Sequence, residues 1–130
     1  MKNLQPQEAW TWLQSRPDAL FVDVRMEIES LYVGRPPGVV NVPWYEYPEF
    51  LPDPLKFAEA VAREARAKDQ PVLLICRSGQ RSLGAGMALA AAGFSDLQHV
   101  AHGFEGELDQ QDQRSSVSGW RFEGLPWEQM

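Results

Sequence analysis

Two rhythms divide the chain. Short runs that are apolar throughout, or nearly so, recur at 19–24, 39–42, 72–75 and 97–101. Runs of this length read as strands buried on both faces. Between them apolar residues return every three or four positions, the spacing of amphipathic helices. The pattern predicts a helix over 5–15, with Pro6 in its first turn and Ala9, Trp10 and Leu13 along one side. It predicts a helical turn or two within 26–33 and a longer helix from Pro54 to about 68. Asp53 is the expected N-cap of that helix, and Leu55, Ala58, Val61, Ala62 and Ala65 are its expected inner face. Leu83, Met87, Ala90 and Phe94 mark a further helix from about Arg81, ended by Gly93. Residues 103–108 read as the start of another.

The remaining stretches read as loops. Gly34-Arg35-Pro36-Pro37-Gly38 is a rigid turn. Residues 44–52 are aromatic and acidic, and 109–119 are polar without a period. Trp120, Leu125 and Trp127 are too apolar for a free tail and are predicted to pack back on the body. Strands alternating with helices imply right-handed crossovers. The expected fold class is therefore α/β, a mainly parallel central sheet of four to five strands with helices on both faces. Such sheets bind ligands beyond the C-terminal ends of their strands. Asp23 and Arg25 fall at one such end, and Cys76 at another.

Cys76 is the only cysteine. It opens the turn Cys76-Arg77-Ser78-Gly79-Gln80-Arg81-Ser82, between a buried strand and a helix. Amides of such a turn converge, and the first helical turn adds unpaired donors and the positive end of the helix dipole. Arg77 and Arg81 add two full charges. A thiol in such surroundings typically titrates somewhere between ~3.5 and ~7.5, so Cys76 is expected to be largely a nucleophilic thiolate. The same donors would hold an anion. A lone cysteine is more often an inert buried thiol. Two guanidinium groups beside it favour chemistry, because burying them against an idle thiol would need compensation.

Composition narrows the partners. The chain has 130 residues, the natural size of one domain spanning 1–130. Twelve basic residues against 18 acidic ones give a net charge of −6. That balance argues against nucleic acid and requires a local cationic pocket for any anionic ligand. One cysteine excludes an internal disulfide and a multi-cysteine zinc site. His99 and His102 stand without cysteine or carboxylate at ligand spacing, so no metal is expected. The five tryptophans read as packing residues, with Trp44 and Tyr45 beyond a strand end near the mouth of the site. No apolar run reaches about 18 residues and residues 1–8 lack a signal-peptide core, so the expectation is a cytoplasmic protein with no membrane partner.

With these residues in place, the chain resembles the single-domain rhodaneses, the thiosulfate sulfurtransferase family, over nearly its whole length. Asp23-Val24-Arg25 resembles the family's Asp-Val-Arg, and Gly34 through Pro37-Gly38 to Asn41-Val42-Pro43 resembles its Gly-His-Ile-Pro-Gly and Asn-Ile-Pro stretch. Cys76 to Ser82 resembles the active-site loop, and Trp120 with Gly124-Leu125-Pro126 the closing segment. Arg35 and Pro36 depart from His-Ile, Gly103 and Gly106 replace an adjacent glycine pair, and 109–119 looks inserted.

The resemblance implies sulfur transfer in two steps. Cys76 attacks the outer sulfur of thiosulfate or a related small anionic donor and becomes a persulfide. An external thiol or cyanide, or a protein acceptor, then takes that sulfur. No cofactor is implied. Arg77 is expected to hold the donor's sulfonate, and Arg81 to brace the loop by pairing with a carboxylate. Gly79 and Gln80 form the cradle, and Ser78 and Ser82 supply hydroxyl donors. Asp23 and Arg25 are expected to support the site by pairing at the strand ends. Two alternatives stand beside this reading. One is a non-catalytic persulfide carrier or docking module, with 45–53 and 109–119 as contact surfaces. The other is a rhodanese-like phosphatase, disfavoured because those enzymes use Cys-x5-Arg, whereas Cys76 and Arg81 here are separated by four residues.

Overall fold

The computed structural model describes all 130 residues. Five strands form one sheet: β1 Lys2–Leu4, β2 Leu20–Asp23, β3 Val40–Asn41, β4 Val72–Ile75 and β5 Leu97–Val100. Their order across the sheet is β1-β5-β4-β2-β3 and every pairing is parallel. The expected α/β class is therefore what the chain adopts. The central strand β4 carries Val72, Leu73, Leu74 and Ile75, all sealed from solvent. Its unbroken apolar run follows from cover on both faces. Alternate residues feed two cores. Leu74 meets Val22, Ala85 and Leu89, while Leu73 and Ile75 meet Phe21, Val100, Phe104 and Trp120.

The edge strand β1 is absent from the sequence reading. It is three residues of mostly exposed chain, Lys2-Asn3-Leu4, with no apolar alternation to betray it. It docks on β5 in the register Lys2 to Gln98, Asn3 to His99 and Leu4 to Val100.

The helices are α1 Pro6–Gln14, α2 Pro54–Glu64 and α3 Arg81–Ala91. Asp53 caps α2 as expected, its Oδ1 accepting from the Lys56 amide at 3.2 Å. The inner face of α2 is Phe57, Ala58 and Val61, and Leu55 is 77% exposed, against expectation. At about 100° per residue, Leu55 lies roughly 120° around the axis from Val61, outside the buried stripe. A larger correction concerns α3. Its helical period is as read, but Leu83, Met87 and Ala90 face outward, and Ser82, Ala85, Gly86 and Leu89 face the sheet. Small residues let this helix lie close to the strands, which bulky ones would forbid. A Cβ on Gly86 would overlap the Met1 side chain and would meet Leu74 of β4 at 3.8 Å, an ordinary contact.

The turns expected within 26–33 form a short π-helical segment, Glu29–Val33. The helix expected at 103–108 does not form. His102, Gly103 and Gly106 have φ of 65°, 67° and 78°, outside the right-handed helical region. The C-terminal segment packs back as read: Trp120 is buried and donates from Nε1 to the Pro126 carbonyl at 2.7 Å, and the Trp127 ring meets Phe104 edge-on. No helix is long and apolar enough to cross a membrane.

Candidate active site

Because all five strands run parallel, their C-terminal ends share one edge of the sheet. Asp23, Arg25 and Cys76 lie there together. Cys76 follows β4 directly, and residues 77–80 bend before α3 begins at Arg81. Two amides point at the sulfur: Gly79 N–H donates to Sγ at 3.1 Å and Ser82 N–H at 3.4 Å. The Ser82 hydroxyl is 3.5 Å from the same sulfur. Gly79 has φ of 102°, a left-handed conformation that turns its N–H inward. Cys76 itself is 0% exposed. The loop therefore closes around one sulfur atom and must part for a reactant to reach it.

The loop is held from behind by the turn after β5. Phe104 N–H donates to the Cys76 carbonyl at 2.8 Å, and Glu105 and Gly106 N–H donate to the Arg77 carbonyl at 2.9 and 3.2 Å. Gly103 makes this approach possible, since a Cβ there would lie 2.5 Å from the Cys76 carbonyl oxygen. The 109–119 stretch folds onto the same brace, with Ser115 N–H donating to the Glu105 carbonyl at 2.6 Å.

The three arginines of this edge have different partners. Arg81 makes a two-pronged pair with Glu29, at 2.7 and 2.8 Å, above the Tyr45 ring. Burial alone would raise the Glu29 carboxyl, but the Arg81 hydrogen bonds and charge, the Met26 amide and the Arg25 charge hold it below its ordinary 4.5. Burial alone would lower Arg81; Glu29 first, then the charges of Tyr45 and Cys76, leave it raised. Arg25 is fully buried against Asp23, at 2.9 and 2.7 Å, with a further bond to the Gly34 carbonyl at 2.6 Å. Its guanidinium stacks 4.6 Å from the Phe104 ring centre, and its Nη1 has no partner. Asn41 bridges the carbonyls of Asp23 and Arg25 at 3.0 and 2.9 Å. Arg77 is exposed and pairs with no carboxylate. Ser78 and Gly79 are half-buried on the rim, and Gln80 is exposed.

From the sequence alone His99 carries no expected role beyond the discounted one of metal ligand. The ring lies under the loop, with Nδ1 2.8 Å from the Ser82 hydroxyl. Its signal was the parity of β5: His99 is two residues from Leu97 and opposite Leu74, on the α3 face of the sheet. Trp44, read as a possible rim residue, packs instead on Phe57 and beside Gly84.

The profile of the Rhodanese family, described as the rhodanese-like domain, matches residues 5–108. The chain belongs to the rhodanese-like family. The solved structure of Rv0390 from M. tuberculosis is similar at 37% identity and a TM-score of 0.86, over 100% of this chain and 98% of that one. The mouse thiosulfate sulfurtransferase/rhodanese-like domain-containing protein 3 is 32% identical over 72% of this chain, which spans only 60% of the mouse protein. The thiosulfate sulfurtransferase from Pseudomonas aeruginosa shares the fold, with a TM-score of 0.72 at 21% identity, over 99% of this chain and 20% of that one. The rhodanese-like family is of sulfurtransferase type, working between a sulfur donor and an acceptor.

Within this rhodanese-like frame the structure brings Cys76, Gly79 and Ser82 into contact and sets Arg81 in the loop wall. Asp23 and Arg25 form a separate sealed brace with no hydrogen bond to Cys76.

Proposed function

We propose that the protein transfers sulfane sulfur from thiosulfate or a related small anion to a thiophilic acceptor, with Cys76 as the nucleophile and persulfide carrier. The observation that carries this reading is the focus of two amides on a single sulfur atom at 3.1 and 3.4 Å, with the Ser82 hydroxyl oxygen accepting from that sulfur at 3.5 Å. In the first step the Cys76 thiolate attacks the outer sulfur of thiosulfate. A new S–S bond forms, the old one breaks, and sulfite departs with its electron pair. In the second, cyanide or an external thiolate attacks the outer persulfide sulfur, and Cys76 leaves as thiolate. The amides that hold the thiolate serve a departing thiolate equally well. Arg77, the cation of the site without a carboxylate partner, neutralises the donor's sulfonate. The 130 residues act as one domain, and a thiol that must stay reduced suits the cytoplasm.

Phosphatase chemistry is the weaker reading, because Arg81 is already engaged by both oxygens of Glu29 and is not free to grip a phosphate. The carrier reading draws on a different feature. Met26, Ile28, Tyr47 and Phe50, with Glu27 and Glu46, line an open hollow beside the Glu29–Arg81 pair, suited to a protein acceptor. The test is mass spectrometry of the purified protein after thiosulfate, followed by cyanide. A gain of about 32 Da on Cys76, discharged with thiocyanate release, is the expected result. A protein that neither gains nor releases sulfur overturns the reading, and one that loads but turns over only with a protein acceptor is a carrier.

A further inference from the structure

A nucleophile sealed from solvent needs a route for its proton. Cys76 has no exposed surface, and neither has Ser82 beside it. From the sulfur a continuous path leads inward to Ser82 Oγ at 3.5 Å and on to His99 Nδ1 at 2.8 Å. His99 is 6% exposed, so the path ends at a ring that touches water. Arg25 Nη1 is the buried side-chain nitrogen without a partner; His99 Nε2 has no hydrogen bond in the protein and is not sealed. The ring is thus bonded at one nitrogen to the site and open at the other.

The surroundings of the ring keep it neutral between transfers. β4 sets Leu74 opposite it, α3 presents Ser82, and β1 sets Asn3 in register. The charge acting on it is the Met1 α-amino group; Arg81, at the head of α3, is engaged by Glu29. No carboxylate contacts the ring. Burial, then the Met1 charge, lowers its pKa from the ordinary 6.5, which keeps the imidazole neutral, with Nδ1 free to accept the Ser82 hydrogen bond, and makes any imidazolium short-lived.

We propose that Ser82 and His99 form a proton relay through which the buried Cys76 sulfur exchanges its proton with solvent. The inference rests on the proposed role of Cys76 as nucleophile. In the forward direction the Cys76 S–H bond breaks and its proton passes to Ser82 Oγ. Ser82 gives its own hydroxyl proton to His99 Nδ1, and the imidazolium releases its Nε2 proton to water. The products are a Cys76 thiolate and a neutral ring protonated at Nδ1. When an acceptor has taken the outer sulfur, the same bonds run in reverse: Nδ1–H donates to Ser82 Oγ, which donates to the departing sulfur. His99 touches no substrate and is a positioning residue.

The test reads the thiol without requiring sulfur transfer. The rate of Cys76 alkylation by iodoacetamide is measured against pH for wild type, Ser82→Ala, His99→Gln, His99→Ala and the Ser82→Ala/His99→Gln double variant. Each single variant is expected to move the curve about one unit to higher pH, a roughly tenfold slower reaction on its rising limb. The double variant is expected to move it no further, because the two residues act in one chain. Added imidazole is expected to restore the rate of His99→Ala but not that of Ser82→Ala. Curves that superimpose on wild type, in variants with native near-ultraviolet circular dichroism, overturn the relay. Should the variants not fold, NMR titration of the His99 ring in the wild type, before and after Cys76 is capped with a methylthio group, decides. A changed ring titration supports the relay, and an unchanged one overturns it. A protein with the expected alkylation shifts but no persulfide would lose the proposed function and keep the relay; the opposite pattern would lose the relay alone.

Discussion

Arg77 and Arg81 stand four residues apart in one loop and meet opposite environments. Arg81 is buried against the two oxygens of Glu29, whereas Arg77 is exposed and unpaired. Arg81→Ala would leave a buried carboxylate uncompensated and is expected to cost about 3 kcal/mol in urea unfolding. Replacing both partners with Met is expected to recover much of that loss, because the desolvation penalty disappears with the charges. Arg77→Ala is expected to change stability by less than about 0.5 kcal/mol. Its effect should appear in turnover instead, as a roughly tenfold lower kcat/KM for thiosulfate, since the donor loses one charge-assisted contact. Unfolding by Arg77→Ala with a silent Arg81→Ala would reverse the two roles. The resemblance implies a carboxylate partner for Arg81 but not which one, because Glu29 is 52 residues away and only the fold joins them. Asp23 and Arg25 are two residues apart at a strand end, so that pairing was legible locally.

At the scale of elements, the strand–loop–helix unit around Cys76 was readable because burial on both faces leaves β4 no polar position. The buried face of α3 was not readable. Hydrophobic size marks the outer face there, and closeness to the sheet selects Ser82, Ala85 and Gly86 within. The brace 103–106 lies within the stretch 103–108 where a helix is expected, and the left-handed conformations of Gly103 and Gly106 forbid that helix. This brace yields the second prediction. Gly103→Ala introduces a Cβ 2.5 Å from the Cys76 carbonyl oxygen and 2.6 Å from the Arg77 carbonyl, at a φ of 67° that favours glycine. Backbone on both sides has no flexible side chain to move, so the loop itself must shift. The substitution is expected to cost more than about 1 kcal/mol. It should also lower persulfide formation from thiosulfate well below wild type under conditions where the protein remains folded. Leu55→Ala is the contrasting control. It removes an exposed side chain and is expected to stay within about 0.5 kcal/mol. A Gly103→Ala protein with wild-type sulfur loading would show that the brace does not fix the loop.

Across the whole molecule, stability and charge pull against each other as pH falls. The net charge of −6 at pH 7 approaches zero near the isoelectric point of 4.8, which relieves self-repulsion and favours the folded state. Glu29 and His99 act in the other direction. Both have folded-state pKa values below their ordinary 4.5 and 6.5. A depressed value means that the unfolded chain binds the proton more tightly. Each contribution is therefore full above the ordinary value and is lost as pH falls through the folded one. His99 acts first, from about pH 6.5 downward, because the unfolded chain accepts the proton that the buried ring resists. Glu29 follows below 4.5, when its pair with Arg81 is broken by protonation. One group contributes a slope of at most about 1.4 kcal/mol per pH unit. The general relief of repulsion is shared by wild type and a single variant, so it cancels in their difference. Urea unfolding of wild type and His99→Gln between pH 8 and 5 is expected to give a stability difference that is constant above about 6.5 and shifts in favour of the variant below it. A difference independent of pH across that range would mean that the His99 ring titrates alike in the folded and unfolded chains, and that burial under α3 does not keep it neutral.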